Sequence, residues 1–176
     1  MTKLMLALAF ALIIPAAALA GDEAEPTPDD IIAQMEAQCA ANSEAMAARQ
    51  AENSLYERMG GEEKIHEFTT ELVRVHMENE KVRPFFEGLD HKKVAYRVAQ
   101  FIISGTGGEQ VFNGPPLPES HAEMQITNAD FLNAGGDVIQ AMQNVGYGQN
   151  EIDEMVCTLV ALRPQVVLGE GADAGR

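Results

Sequence analysis

From Ser54 onward, apolar residues recur every three or four positions, the period of a helix with one buried face. Ile65, Phe68, Leu72, Val73 and Val75 form one such stripe, running to Met77. Ahead of it, Ser54-Leu55-Tyr56-Glu57 fits a capping box, serine at the cap and glutamate three residues on, and Met59-Gly60-Gly61 closes that short helix. Pro84 breaks the chain just before Phe85-Phe86. The spacing predicts a third helix over about Asp90 to Ser104, with Val94, Val98, Phe101 and Ile102 on one side and Gly105, Gly107 and Gly108 stopping it. The run Pro115-Pro116-Leu117-Pro118 forbids a long helix and leaves room for a short turn carrying Glu119-Ser120-His121. Thr127-x-x-Asp130 opens another helix, whose stripe is Phe131, Leu132, Gly135, Val138, Ile139, Met142 and Val145. Ile152, Val156, Leu159, Val160, Val166 and Val167 predict a last helix with Pro164 near its end, and these two long helices are expected to pack as an antiparallel pair. No segment alternates with the period of two that a sheet requires, so the body reads as all-α.

The N-terminal third has a different pattern. Lys3 precedes an apolar run, Leu4 to Ala20, that ends Ala18-Leu19-Ala20. A basic start, an apolar core and a small-x-small end make a signal peptide over residues 1–20, and no stable membrane insertion is expected once it is cleaved. A spanning helix prefers about 20 apolar residues without a proline, and Pro15 interrupts this run. Residues 21–53 follow as an acidic leader, Gly21 to Asp30 with Pro26 and Pro28, and an accessory helix from Ile31 to Glu52. That helix has a thin apolar set, Ile31, Ile32, Met35, Ala37 and Met46, and needs a surface to lean on. The main domain then spans residues 54–168, and 169–176 reads as a flexible tail.

Composition narrows the function. Acidic residues number 27 and basic ones 12, for a net charge of −15, which repels nucleic acid and anionic membranes. Hydrophobic residues at 46% with charged residues at 22% indicate a packed core rather than disorder. The four histidines, His66, His76, His91 and His121, form no His-x-x-His or His-x-x-x-His pair, and no Cys-x-x-Cys occurs, so structural zinc and covalent c-type haem attachment lack their motifs. His121 stands apart because the proline-rich run before it fixes its turn, and strongly apolar helices surround it. It reads either as an axial ligand to haem iron facing an apolar cavity or as a surface histidine in a loop.

The ordered motifs resemble the truncated, two-over-two haemoglobin family, most closely its group I, from Ser54 to about Val167. The opening Ser54-Leu55-Tyr56-Glu57-Arg58-Met59-Gly60-Gly61, the aromatic corner Pro84-Phe85-Phe86-Glu87-Gly88, the exit Gly107-Gly108 with Phe112-Asn113-Gly114, and His121 with Gln125-Ile126-Thr127 and Phe131 carry the likeness. The resemblance implies a helical sandwich around haem b, here with an extra N-terminal helix. It implies His121 as the iron ligand and Phe86, with Phe85 beside it, as the aromatic packing on the haem. Arg97 falls where a basic residue often approaches a propionate, and equally suits a solvated helix surface. Phe101, Ile102, Ile126 and Phe131 would line the pocket or its back wall.

On the distal side, group I members often carry tyrosine and glutamine, which stabilise bound dioxygen. The matching positions here are Val73, Val94 and Val98, and none can donate a hydrogen bond. The expectation is a haem protein that binds a diatomic gas in an apolar pocket, taking carbon monoxide or nitric oxide more readily than it holds dioxygen. Two other readings are a nitric oxide detoxifying or redox haem enzyme, which needs an electron donor, and a haem-free interaction module. An exported, periplasmic chain permits a Cys39–Cys157 disulfide that staples the accessory helix to the last helix. Two free thiols, or pairing between chains through Cys39, are the alternatives.

Overall fold

In a computed structural model covering residues 25–168, all regular structure is helical: α1 Pro28–Glu52, α2 Leu55–Arg58, α3 Gly61–Glu78, a 3-10 turn Arg83–Phe86, α4 His91–Thr106, α5 Leu117–His121, α6 Asn128–Val145 and α7 Gln149–Leu162. The expected signal segment and the tail from residue 169 lie outside the described residues. No described helix is long and apolar enough to cross a membrane.

Helix α3 is the centre of the packing. It presents Ile65, Phe68, Thr69, Leu72, Val73, Val75 and His76 to the interior, and a set this wide lets it pack on two partners. α4 and α6 each pack extensively on α3 and hardly on each other. α4 commits Ala95, Ala99, Ile102 and Ile103 to the core, and α6 commits Val138, Ala141 and Met142. Phe68, Met59, Ile65 and Met142 are wholly enclosed, so a Phe68→Ala change would open a cavity worth about 3–5 kcal/mol.

Local chemistry sets the boundaries. Ser54 with Glu57 and Thr127 with Asp130 each form the reciprocal bonds of a capping box. A third box, Thr27 with Asp30, starts α1 three residues before the predicted Ile31 and converts the end of the expected leader into helix. Pro28 occupies the first helical position, where a missing N–H is harmless. α4 runs through Gly105 and ends at Gly107, whose φ of +107° is left-handed and whose added Cβ would meet the Ser54 side chain at 2.7 Å. The last helix is shorter than predicted. Pro164 has no N–H to offer the carbonyl four residues back, so α7 stops at Leu162 and a 3-10 turn, Arg163–Gln165, leaves Val166 and Val167 outside it.

The expected α6–α7 pair does touch, yet α7 packs more on α1 than on α6. α1 lies along the body through Pro28, Ile31, Ile32, Met35, Cys39, Met46 and Arg49, a narrow seam at three- and four-residue spacing, while Ala37 of the expected set is exposed. Polar ties fix its length. Asn128 bonds Asp29, Arg163 reaches Glu36 at 3.6 Å, and Arg49 bonds Glu154 at 2.6 Å. Arg58 of α2 also bonds Glu154, and reaches Glu151 at 2.8 Å, so α1, α2 and α7 share one ionic cluster. Cys39 and Cys157 are joined by a disulfide that closes a separation of 118 residues. Closing so long a loop restricts the unfolded chain, and replacing both cysteines by serine should lower the unfolding free energy by about 2–4 kcal/mol. Denaturant titration of the double variant checks this, and an unchanged midpoint and slope would contradict it.

Candidate functional site

α4 and α6 both pack on α3 and hardly on each other, and the outer face of α4 and the segment from α5 to the start of α6 carry the apolar residues the sequence assigned to the site. One face of α4 is buried against α3, whereas Val94, Val98 and Phe101 stand half-buried on a second apolar face. Along α5 and the start of α6, Leu117, Met124, Ile126, Phe131 and Leu132 are half-buried too. Phe112 packs edge-on against Phe101, ring centroids 5.2 Å apart. Apolar side chains left part-covered on both walls are what a flat apolar cofactor would cover.

His121 is the last residue of α5 and is half-buried. Its Nδ1–H donates to the carbonyl of Leu117, 2.8 Å away, four residues back along the same short helix. A carbonyl can only accept, so the proton sits on Nδ1 and the Nε2 lone pair is left for a metal. The Ser120 hydroxyl lies 3.2 Å from the same nitrogen and bonds the carbonyls of Pro116 and Leu117. Thr127 then caps α6, and Gln125 takes a φ of +52° to turn the chain between the two helices. Among the described residues no cluster of three His, Cys, Asp or Glu is placed to share a metal ion. A metal whose other ligands come from a cofactor needs no such cluster.

The other expected residues fall as follows. Val73 is buried on α3, and Val94 and Val98 are half-buried on α4. Ile102 belongs to the core against α3. Phe85 and Phe86 are half-buried in the 3-10 turn. Arg97 is exposed on α4 and forms no ion pair among the described residues. Tyr96 is 54% exposed and stacks on His66, on the outside of the fold. His91 is tied down, its Nε2–H donating to the Phe86 carbonyl at 3.2 Å.

One group was not legible as a unit. His76 Nδ1–H donates to Asp137 at 2.8 Å, and Asn79 Nδ2 donates to the other carboxylate oxygen at 2.8 Å. Both His76 and Asp137 are buried, at 7% and 5% exposure. The His76 ring also stacks on Phe86, centroids 4.8 Å apart. With α3 and α6 so far apart in the chain, nothing in the sequence pairs the two residues. A histidine one turn past Val73 was the sole hint.

The all-helical arrangement around these residues is that of a two-over-two globin. Solved truncated haemoglobins share it. The ferric protein of Tetrahymena pyriformis superimposes with a TM-score of 0.62 at 20% identity, covering 67% of this chain and all of that one. The 2/2 haemoglobin of Synechococcus sp. PCC 7002, in a cyanomet state with covalently attached haem, gives a TM-score of 0.59 at 25% identity, covering 65% of this chain and 98% of that one. A group 1 truncated haemoglobin of Mycolicibacterium paratuberculosis is 25% identical over 118 residues, 66% of this chain and 86% of its own length. The bacterial-like globin family model matches residues 54–167, and the chain belongs to that family. Its cofactor is accordingly haem with its iron, and the half-buried apolar walls and the unengaged imidazole nitrogen fit that group.

Burial pushes the His76 pKa below its ordinary 6.5, outweighing the pull of Asp137. As pH falls, the unfolded chain takes up this proton first, so stability present above about pH 6.5 is lost progressively below it. His76→Gln should flatten that part of the stability profile, measured by urea unfolding between neutral and mildly acid pH. An identical slope in the variant would contradict the assignment.

Proposed function

We propose that this globin binds a diatomic gas reversibly at haem iron held by His121, in a distal pocket formed by Val73, Val94 and Val98. The observation that carries it is the His121–Leu117 bond, which fixes the imidazole and leaves Nε2 unengaged. Haem, held by these residues, would supply the iron that binds the gas. The chain does the rest. His121 is oriented by its own helix, Phe86 and Phe131 would pack on the ring, and Phe85, Phe101 and Ile126 would complete the wall. Exposed Arg97 offers its guanidinium to a propionate at the rim.

The three valines exclude water and offer no proton to the gas. Carbon monoxide and nitric oxide tolerate this, whereas dioxygen gains negative charge on binding and is left without a donor. We read the protein as a poor dioxygen store that oxidises readily in air. Enzymatic removal of nitric oxide, which needs a lasting dioxygen complex and an electron donor, finds less support in this pocket. Export to the periplasm is part of the same proposal, supported by the residue 1–20 pattern and by a disulfide suited to an oxidising compartment.

Two measurements check this. His121→Gly should lose the histidine-ligated reduced spectrum and regain it when free imidazole is added; a spectrum indifferent to the substitution would contradict the assignment. Val73→Tyr should slow dioxygen dissociation by about ten-fold or more, since a hydrogen bond to a charged partner is worth roughly 1.5–3 kcal/mol. Flash photolysis or stopped flow reads the rate, and an unchanged rate would contradict an undefended pocket.

A further inference from the structure

The buried polar side chains His76, Asp137 and Asn79 meet directly behind Phe86, one turn along α3 from Val73. Packing stability does not explain them, because burying a carboxylate carries a desolvation cost that apolar residues of the same volume avoid. Their position does. Phe86 is held on its ring by His76 and through its carbonyl by His91, so the set abuts the residue proposed to cover the haem.

We propose that Asp137 is a fixed negative charge in the distal wall, held in place by His76 and Asn79, that lowers the reduction potential of the iron and weakens electron donation from iron to the bound gas. The proposal rests on the His121 haem reading above. Asp137 accepts two hydrogen bonds, one on each oxygen, which is the donor set of an ionised carboxylate. Burial keeps His76 neutral at ordinary pH, so the pair carries one net negative charge. Asp137 forms no second ion pair among the described residues, and Lys81, whose N–H bonds Asn79, is exposed. On α3, Arg74 is engaged by Glu71 at 2.7 Å and Glu78 at 2.5 Å, out in solvent. Arg83 of the 3-10 turn and Lys92, Lys93 and Arg97 of α4 are exposed, and α6 offers only Asp130, which is committed to the cap at Thr127. His91 is the one further titratable group touching Phe86. An uncompensated charge in a weakly polarisable interior acts over a longer range than one in water. It favours ferric over ferrous iron and opposes negative charge on the bound gas, in the same sense as the missing distal donors. His76 is thereby a positioning residue.

The test uses the haem-loaded protein and Asp137→Asn, which keeps shape and removes charge. The readouts are the C–O stretching frequency of the carbon monoxide complex and the midpoint potential by spectroelectrochemistry. The variant should keep the histidine-ligated reduced spectrum, lower the stretching frequency and shift the midpoint to more positive values. His76→Gln, which retains a neutral donor and the carboxylate, should leave both close to wild type. In wild type the Asp137→Asn shifts should also appear as pH is lowered and His76 takes a proton. They should persist in His91→Gln, and this arm stands even where Asp137→Asn fails to fold. Unchanged stretch and potential in both the variant and the pH series, with a normal wild-type spectrum, overturn the charge assignment alone. A wild-type spectrum without histidine ligation overturns the haem reading and this inference together.

Discussion

Everything in this fold depends on α3 being buried on two sides at once. Ile65, Phe68, Leu72 and Val75 stand at the centre of the core, and α4 and α6 both pack on α3 and hardly on each other. The proposed site draws on half-buried apolar residues beside that core, Val94, Val98 and Phe101 on α4 and Ile126 and Phe131 around the start of α6. The short segment Leu117–His121 adds the imidazole.

The extra helix solves a different problem. A thin apolar seam cannot hold a 25-residue helix against a surface by burial alone. The chain adds polar ties at Asp29, Glu36 and Arg49 and one covalent bond at Cys39. Two of the ties, Asp29 and Glu36, end at Asn128 and at Arg163, which itself bonds Asn128 at 2.8 Å. Asn128 is the first residue of α6, directly after the Ile126–Thr127 junction. The N-terminal helix thus braces the side of the proposed site that carries His121.

Much of this was legible in the sequence because it was written locally. Capping boxes at Ser54 and Thr127, the stripe of α3 and the prolines before His121 are short-range signals, and each lies where its pattern predicted. Thr27-Pro28-Asp29-Asp30 carried the same signal, yet prolines and acidic residues gave it the look of a leader. Val166 and Val167 continued a periodic stripe past Pro164, where backbone chemistry overrides side-chain pattern. Partnerships across the chain were the hidden part. Cys39 with Cys157 was one of three open alternatives, and the joining of Arg49 and Arg58 at Glu154, like that of His76 to Asp137, left no trace in spacing. Such pairs are fixed by which helices become neighbours, and single-chain periodicity does not encode that.

In the proposed site the distal and proximal walls divide the labour. One would supply an imidazole oriented by the Leu117 carbonyl, and the other would supply shape without hydrogen bonds. Resonance Raman spectroscopy of the reduced, gas-free haem protein tests that division most directly. A five-coordinate haem with an iron–histidine stretching band typical of a neutral imidazole is predicted. A six-coordinate spectrum, showing that a side chain of the chain itself occupies the distal position, or the absence of an iron–histidine band, would contradict it.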